Sequence, residues 1–267
     1  MTQVSWKPRA FLLEGFLSDE ECDHIINLAL PSITKSSVVN SETGDSFDSE
    51  VRTSQGMFLR KSQDDVIARI ERRIATVTHM PVENGESMQV LRYGLNQKYD
   101  AHPDYFFDEK NKDEAHGGQR AVTFLMYLST PEEGGETCFP YAESKVSGPG
   151  WSDCALQGLS VKAIKGNAVL FHDLKPDGIT EDPRSTHMAC PVLKGVKWSA
   201  PTWIHRKQYQ SDGNKSYDHC EDLEDGCEEW ALAGECEKNP GFMLSNCKRS
   251  CDACSKNRIA LGRRGID

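Results

Sequence analysis

The chain has 267 residues, a formal net charge of -10 and a pI near 5.3. That length holds one large or two ordinary domains with a real core. The acidic balance argues against a nucleic-acid or anionic-membrane surface, and no apolar run of about eighteen residues or more occurs, so no membrane span is expected.

The stretch from Met1 to Trp6 lacks the charged-then-apolar pattern of a signal peptide. Residues 10–30 read as a short strand and then a helix. Ser18 is a good N-cap, Glu21 completes a capping box, and Cys22, Ile25, Ile26 and Ala29 recur at helical spacing. The polar stretch from Asn40 to Ser46 has no periodicity and reads as a mobile surface loop, a kind of segment that often carries function. A second helix is expected over residues 62–75, with Val66, Ile67, Ile70 and Ile74 as its apolar face. From about residue 86 the pattern turns to short strands, at 88–91, 122–128, 159–164, 168–171 and 198–204, separated by Gly/Pro turns. The fold class is therefore mainly β with buttressing helices (α+β), a sandwich or barrel with helices against one sheet.

The chemistry gathers around His102-Pro103-Asp104. On a strand, residues i and i+2 share a face, so His102 and Asp104 can grip one ion together. His187 from a distant strand would complete two imidazoles and a carboxylate, a set that leaves positions open and suits non-haem Fe(II) oxygenases. Lys197 offers the cation that the far carboxylate of a dicarboxylate co-substrate needs. His172 reads as rim or core. A Cys190 thiolate would fill a position the co-substrates need, so it is not a fourth ligand. Cys22, Cys138 and Cys154 stay open between buried thiols and a bridge within the fold.

Several blocks occur in order along the chain: Leu91-Arg92-Tyr93, Gln97-Lys98-Tyr99-Asp100, His102-Pro103-Asp104-Tyr105-Phe106, Gln119-Arg120-Ala121-Val122-Thr123 and Leu125-Met126-Tyr127-Leu128. They continue with Gly134-Gly135-Glu136-Thr137, Phe139-Pro140, Lys165-Gly166-Asn167-Ala168, Cys190-Pro191-Val192, Lys197-Trp198 and Trp203-Ile204-His205. Over roughly residues 4–207 this text resembles the catalytic domain of plant and algal prolyl 4-hydroxylases. The resemblance implies a double-stranded β-helix (jelly roll) using Fe(II), 2-oxoglutarate, O2 and ascorbate. It implies metal ligation by His102, Asp104 and His187, with Lys197, Tyr93 and Thr137 on the 2-oxoglutarate carboxylate. It carries over a peptide-binding set of Arg52 and Ser54 on the mobile loop, Glu86, Tyr99, Arg120, Trp203 and His205. The logic is sound, because a proline-rich peptide arrives as an extended helix with unpaired carbonyls, which aromatic faces and cationic donors can meet.

The activity implied is procollagen-proline 4-dioxygenase-type hydroxylation of peptidyl proline in proline-rich secreted proteins, coupled to decarboxylation of 2-oxoglutarate to succinate. Two other readings stay open. One is another Fe(II)/2-oxoglutarate oxygenase, acting on lysine or a small molecule. The other is a non-catalytic secreted binding protein acting through its C-terminal module.

That module follows a polar linker. Cys220, Cys227, Cys236, Cys247, Cys251 and Cys254 crowd a segment too short to bury a stable core without staples, and spacing alone cannot choose their pairing. Cys251-Asp252-Ala253-Cys254 permits a zinc reading, but no second close pair supports it. Trp230-Ala231, Gly234-Glu235-Cys236, Asn239-Pro240 and Cys247-Lys248-Arg249-Ser250-Cys251 resemble the ShK-toxin-like (ShKT) module. That resemblance implies bridges Cys220–Cys254, Cys227–Cys247 and Cys236–Cys251. Gly241-Phe242 stands where the channel-blocking toxins carry a lysine and an aromatic residue, so channel blocking is not expected. The organisation expected is a dioxygenase domain over 1–207, a linker over 208–219, the module over 220–254 and a tail over 255–267. The cysteines and the Asn214-Lys215-Ser216 sequon fit an oxidising lumen of the secretory pathway, endoplasmic reticulum or Golgi, with a signal or anchor removed ahead of residue 1.

Overall fold

The strand Arg120–Tyr127 presents two different faces. Val122, Phe124 and Met126 enter the main core, while Leu125 and Tyr127 pack with Val161, Ala163 and Val169 on the opposite side. Alternation at a period of two dictates this division, since neighbouring side chains on a strand point to opposite faces. Both faces are covered, so the segment reads as an unbroken apolar run.

The computed structural model describes residues 1–36, 38–39, 46–47, 51–210, 222, 224, 226–247 and 250–251. It divides into two compact units, Met1–Gln210 and Ser211–Asp267. In the first unit a large sheet runs in the order β1 (Thr2–Trp6), β2 (Arg9–Leu13), β13 (Ala168–His172), β9 (Arg120–Tyr127), β16 (Lys197–His205), β7 (Gln89–Tyr93), β6 (Gln55–Phe58) and β3 (Thr34–Lys35). A smaller sheet runs β12 (Leu159–Val161), β11 (Thr137–Phe139), β14 (His187–Ala189) and β8 (Tyr99–His102). Two short pairs, β10 (Glu133–Gly134) with β15 (Val192–Lys194) and β4 (Val38–Val39) with β5 (Ser46–Phe47), complete the strands. The strand pairs within these sheets are antiparallel. The two sheets face each other across the Leu125–Tyr127 side of β9, in the jelly-roll manner the sequence led us to expect.

Helices α1 (Asp19–Ala29) and α2 (Asp65–Thr78) close the other face of the large sheet. Cys22, Ile25, Ala29, Ile67, Ile70 and Ile74 join Val122, Phe124 and Met126 in one core. The α1 start is the expected capping box: the Glu21 amide donates to Ser18 Oγ at 3.2 Å, and the Ser18 amide to Glu21 Oε2 at 3.1 Å. Helix α2 starts later than expected. Asp64 caps it, accepting from the Val66 and Ile67 amides at 2.9 Å each. Ser62 instead sits at φ +49 and binds Glu71, so its side chain serves a tertiary contact.

Strand β2 is the short strand expected ahead of α1, while its hairpin partner β1, at the edge of the large sheet, was not expected. Most of the 40–46 loop lies outside the described residues, but Arg52 and Ser54 do not ride on a surface loop: both are buried. Cys154 and Cys190 form a disulfide, whereas Cys22 and Cys138 are buried thiols.

In the second unit three short helices, α3 (Cys227–Leu232), α4 (Glu235–Lys238) and α5 (Pro240–Asn246), are held by Cys227–Cys247 and Cys236–Cys251. Cys227, Met243 and Cys247 are its buried centre, a core that small depends on its bridges. Cys220 and Cys254 lie outside the described residues, as do positions 211–219 of the expected linker and the tail.

Candidate active site

Strands β8 and β14 pair with His102 opposite His187, and Asp104 follows two residues later. Asp104 Oδ1 lies 3.6 Å from His102 Nε2, and its Oδ2 lies 3.5 Å from His187 Nε2. The ligand atoms of all three fall within 4.8 Å of one another. Each imidazole is oriented from behind, with His102 Nδ1 2.7 Å from the Asp100 carbonyl and His187 Nδ1 3.0 Å from the Ser185 carbonyl. A carbonyl only accepts, so each Nδ1 carries the proton and each Nε2 turns its lone pair inward.

Burial, with His187 nearby, pushes the His102 pKa down to about 3, which keeps the ring neutral. Burial works against ionisation of Asp104, but His187, His102 and Arg120 outweigh it and hold the carboxyl below its ordinary range. Two imidazoles and an ionised carboxylate converging on one point fit Fe(II). Tyr99 stacks on His102 at 3.5 Å between ring centroids, and the Arg52 guanidinium lies 4.8 Å from the Tyr99 ring centroid. The stack limits the freedom of the ligand ring.

A partly open cavity runs from these three residues to Lys197. Lys197 pairs in register with Tyr93 across β16 and β7. Its Nζ lies 5.4 Å from the Tyr93 ring centroid and 5.6 Å from that of Tyr127. Only 1% of the lysine is exposed, and burial lowers its pKa to about 7 although Glu136 pulls the other way. Thr137 also lines the cavity, its hydroxyl 2.9 Å from Tyr127 Oη. One end can therefore chelate and the other can receive a distal carboxylate, the needs of a 2-oxo dicarboxylate.

Arg52, Tyr99 and Trp203 also form cavity walls. Arg52 donates to Gln89 Oε1 at 2.9 Å and to Ser54 Oγ at 3.2 Å, so Ser54 braces it. Arg120 lies between the Phe106 and Trp203 rings, 4.2 and 4.1 Å from their centroids, and donates to the Asp104 carbonyl at 3.1 Å. Arg120, Ser54, Glu86 and His205 stand behind the cavity wall and do not line it. Glu86 binds Arg120 Nε at 2.6 Å and His205 Nε2 at 2.9 Å, which fixes the guanidinium from behind. Sequence reasoning missed the Tyr127 contact to Thr137, the Gln89 brace and the contacts of Thr123 and Asp173. The signal for the last was present: an acid directly after a strand that is apolar up to its final His172, at the position where alternation points it inward.

Two facing antiparallel sheets with two histidines and a carboxylate at one end of the cavity, and a buried lysine at the other, define a 2-oxoglutarate–Fe(II) oxygenase. The family model of the 2OG-Fe(II) oxygenase superfamily matches residues 88–205, and that of ShK domain-like proteins matches residues 219–254. Probable prolyl 4-hydroxylase 7 of Arabidopsis thaliana is 50% identical over 264 residues, covering 96% of this chain and 82% of the relative. Probable prolyl 4-hydroxylase 6 from the same plant is 51% identical, covering 95% and 89%. The crystal structure of a viral collagen prolyl hydroxylase from Paramecium Bursaria Chlorella virus-1, a 2-oxoglutarate complex, is similar at 27% identity and a TM-score of 0.54. It covers 73% of this chain and 94% of its own. The chain belongs to the prolyl 4-hydroxylase family and is an enzyme.

Proposed function

We propose that this enzyme hydroxylates C4 of peptidyl proline in proline-rich secreted proteins, with ascorbate keeping the metal reduced. The observation that carries the reading is the cavity wall, where Arg52, Tyr99 and Trp203 join the metal ligands and Lys197 in a single space. Iron, when bound by His102, Asp104 and His187, supplies the oxidative chemistry that couples 2-oxoglutarate decarboxylation to hydroxylation. The chain's own residues set the geometry. Lys197 receives the far carboxylate, with the Tyr93 and Thr137 hydroxyls beside it, so that the keto-acid end points at the ligands. Tyr99 and Trp203 offer faces for a pyrrolidine ring, while Arg52 and Arg120 offer donors for peptide carbonyls. Glu86, His205 and Ser54 hold those two guanidinium groups in place.

The same reading assigns residues 1–207 to catalysis and 220–254 to a ShKT module that engages substrate or a partner beyond the active site. The Cys154–Cys190 bridge and the two bridges of the second unit support an oxidising compartment such as the endoplasmic reticulum or Golgi lumen. Succinate release and a mass gain of one oxygen, compared over proline-rich, lysine-rich and peptide-free samples, test the proposal. Turnover confined to the proline-rich peptide is the expected result. Oxygen gain on lysine would move the enzyme to another substrate class, and no peptide-dependent succinate would overturn the peptidyl-proline reading.

A further inference from the structure

Among the buried carboxylates that neither ligate the metal nor line the cavity, Asp173 is the one with an oxygen left bare among the described residues. Asp173 directly follows β13 and is completely buried. Its Oδ2 lies 2.9 Å from Thr123 Oγ1, and the same hydroxyl oxygen lies 2.8 Å from Asp104 Oδ2. Asp173 Oδ1 is buried with no hydrogen-bond partner among the described residues. Thr123 sits opposite Phe171 in the β9–β13 register, so Thr123 and Asp173 are diagonal neighbours on the face that looks toward the site.

A threonine hydroxyl has one proton, and here it faces two carboxylate oxygens. If both carboxylates were ionised, one would meet the hydroxyl's lone pairs at hydrogen-bond distance with no proton between them. A single arrangement satisfies both contacts while Asp104 stays an ionised ligand. Asp173 keeps its proton and donates it to Thr123, which donates in turn to Asp104. The bare Oδ1 agrees, because an unpartnered buried oxygen costs far less on a neutral carboxyl than on an anion. The surroundings act in the same direction. Burial and the charge of Asp104 raise the Asp173 pKa well above its ordinary value, Asp182 adds to this, and Thr123 and Arg120 oppose it without cancelling it.

We propose that Asp173 and Thr123 are positioning residues of the metal centre, a neutral carboxyl and a hydroxyl in series that fix the rotation of the Asp104 carboxylate. The proposal rests on the reading of His102, Asp104 and His187 as the metal ligands. Outer partners of this kind typically change metal affinity by about ten- to hundredfold when removed.

Titration of the full chain with Co(II), followed by its visible absorption, tests the relay without turnover. Asp173→Ala and Thr123→Val should each weaken Co(II) binding roughly ten- to hundredfold and alter the band shape. Asp173→Asn keeps a neutral donor and Thr123→Ser keeps the hydroxyl, so both should stay within roughly two- to fivefold of the parent and keep its spectrum. The Thr123 pair carries the test if Asp173→Ala does not fold, which circular dichroism reports. Asp173→Asn as harmful as a truncating substitution, or Thr123→Val with the parent's affinity and spectrum, would overturn the relay while leaving the ligand assignment intact. Co(II) binding unchanged by His187→Ala would overturn the ligand assignment, and the relay with it.

Discussion

Replacing Lys197 by methionine should make the substrate-free enzyme more stable while disabling it. The lysine is buried, and its pKa falls from 10.5 to about 7. In the unfolded chain it takes up a proton at its ordinary value. Between about pH 7 and pH 10.5 the unfolded state is therefore protonated and the folded state is not, so this residue makes stability rise with pH across that window. At pH 7 the penalty on the folded state is on the order of 4 kcal/mol. Methionine matches the stem without the charge, and exchanges of buried charge for apolar side chains of similar volume return about 1–4 kcal/mol.

The same exchange removes the partner of the distal carboxylate. A charge-assisted bond contributes about 1.5–3 kcal/mol, which weakens 2-oxoglutarate roughly ten- to hundredfold. Urea unfolding without 2-oxoglutarate, at several pH values from neutral to mildly alkaline, reads the first effect. Calorimetric titration with 2-oxoglutarate at a fixed metal concentration reads the second. A Lys197→Met chain with the parent's stability and pH slope would show that the ammonium is not desolvated. An unchanged 2-oxoglutarate affinity would place the anchor elsewhere.

His187→Ala and Asp104→Ala should leave circular dichroism unchanged and abolish turnover, and near-parental activity in either would refute the ligand set. Trp203→Ala and Arg120→Ala should impair peptide hydroxylation more than the slow peptide-independent decay of 2-oxoglutarate; equal losses in both reactions would assign these residues to the core or the cofactor. Cys190→Ser opens a loop spanning 36 residues, so chain entropy sets a loss of about 3–4 kcal/mol in unfolding free energy, and an unchanged urea midpoint would refute that account.

The parts of this fold that the sequence made legible are those governed by local rules. The Ser18–Glu21 capping box, the β9 run and the placement of His102 and Asp104 on one side of a strand end all follow from spacing within a few residues. The α2 start was misplaced because Ser62 and Asp64 are both plausible caps, and only the fold shows Ser62 turned toward Glu71. Arg52 lies buried where a mobile loop is expected, because nothing local reveals that the distant Tyr99 and Gln89 surround it. The Cys154–Cys190 pairing and the contact of Glu86 with His205 join distant segments. Their geometry exists only after the sheets have formed, so no periodicity announces it.

The pairing of His102 with His187 has a consequence for the lifetime of the chain. The two strands that carry them are far apart in sequence and become neighbours only when the smaller sheet closes. An unfolded chain keeps only His102 and Asp104 as neighbours and so offers iron a weaker grip than the native state. Free metal at about a hundredfold above its dissociation constant then adds up to about 2.7 kcal/mol against unfolding. Metal binding and folding are thus linked, so that removing the metal should lower the chain's unfolding free energy as well as its turnover.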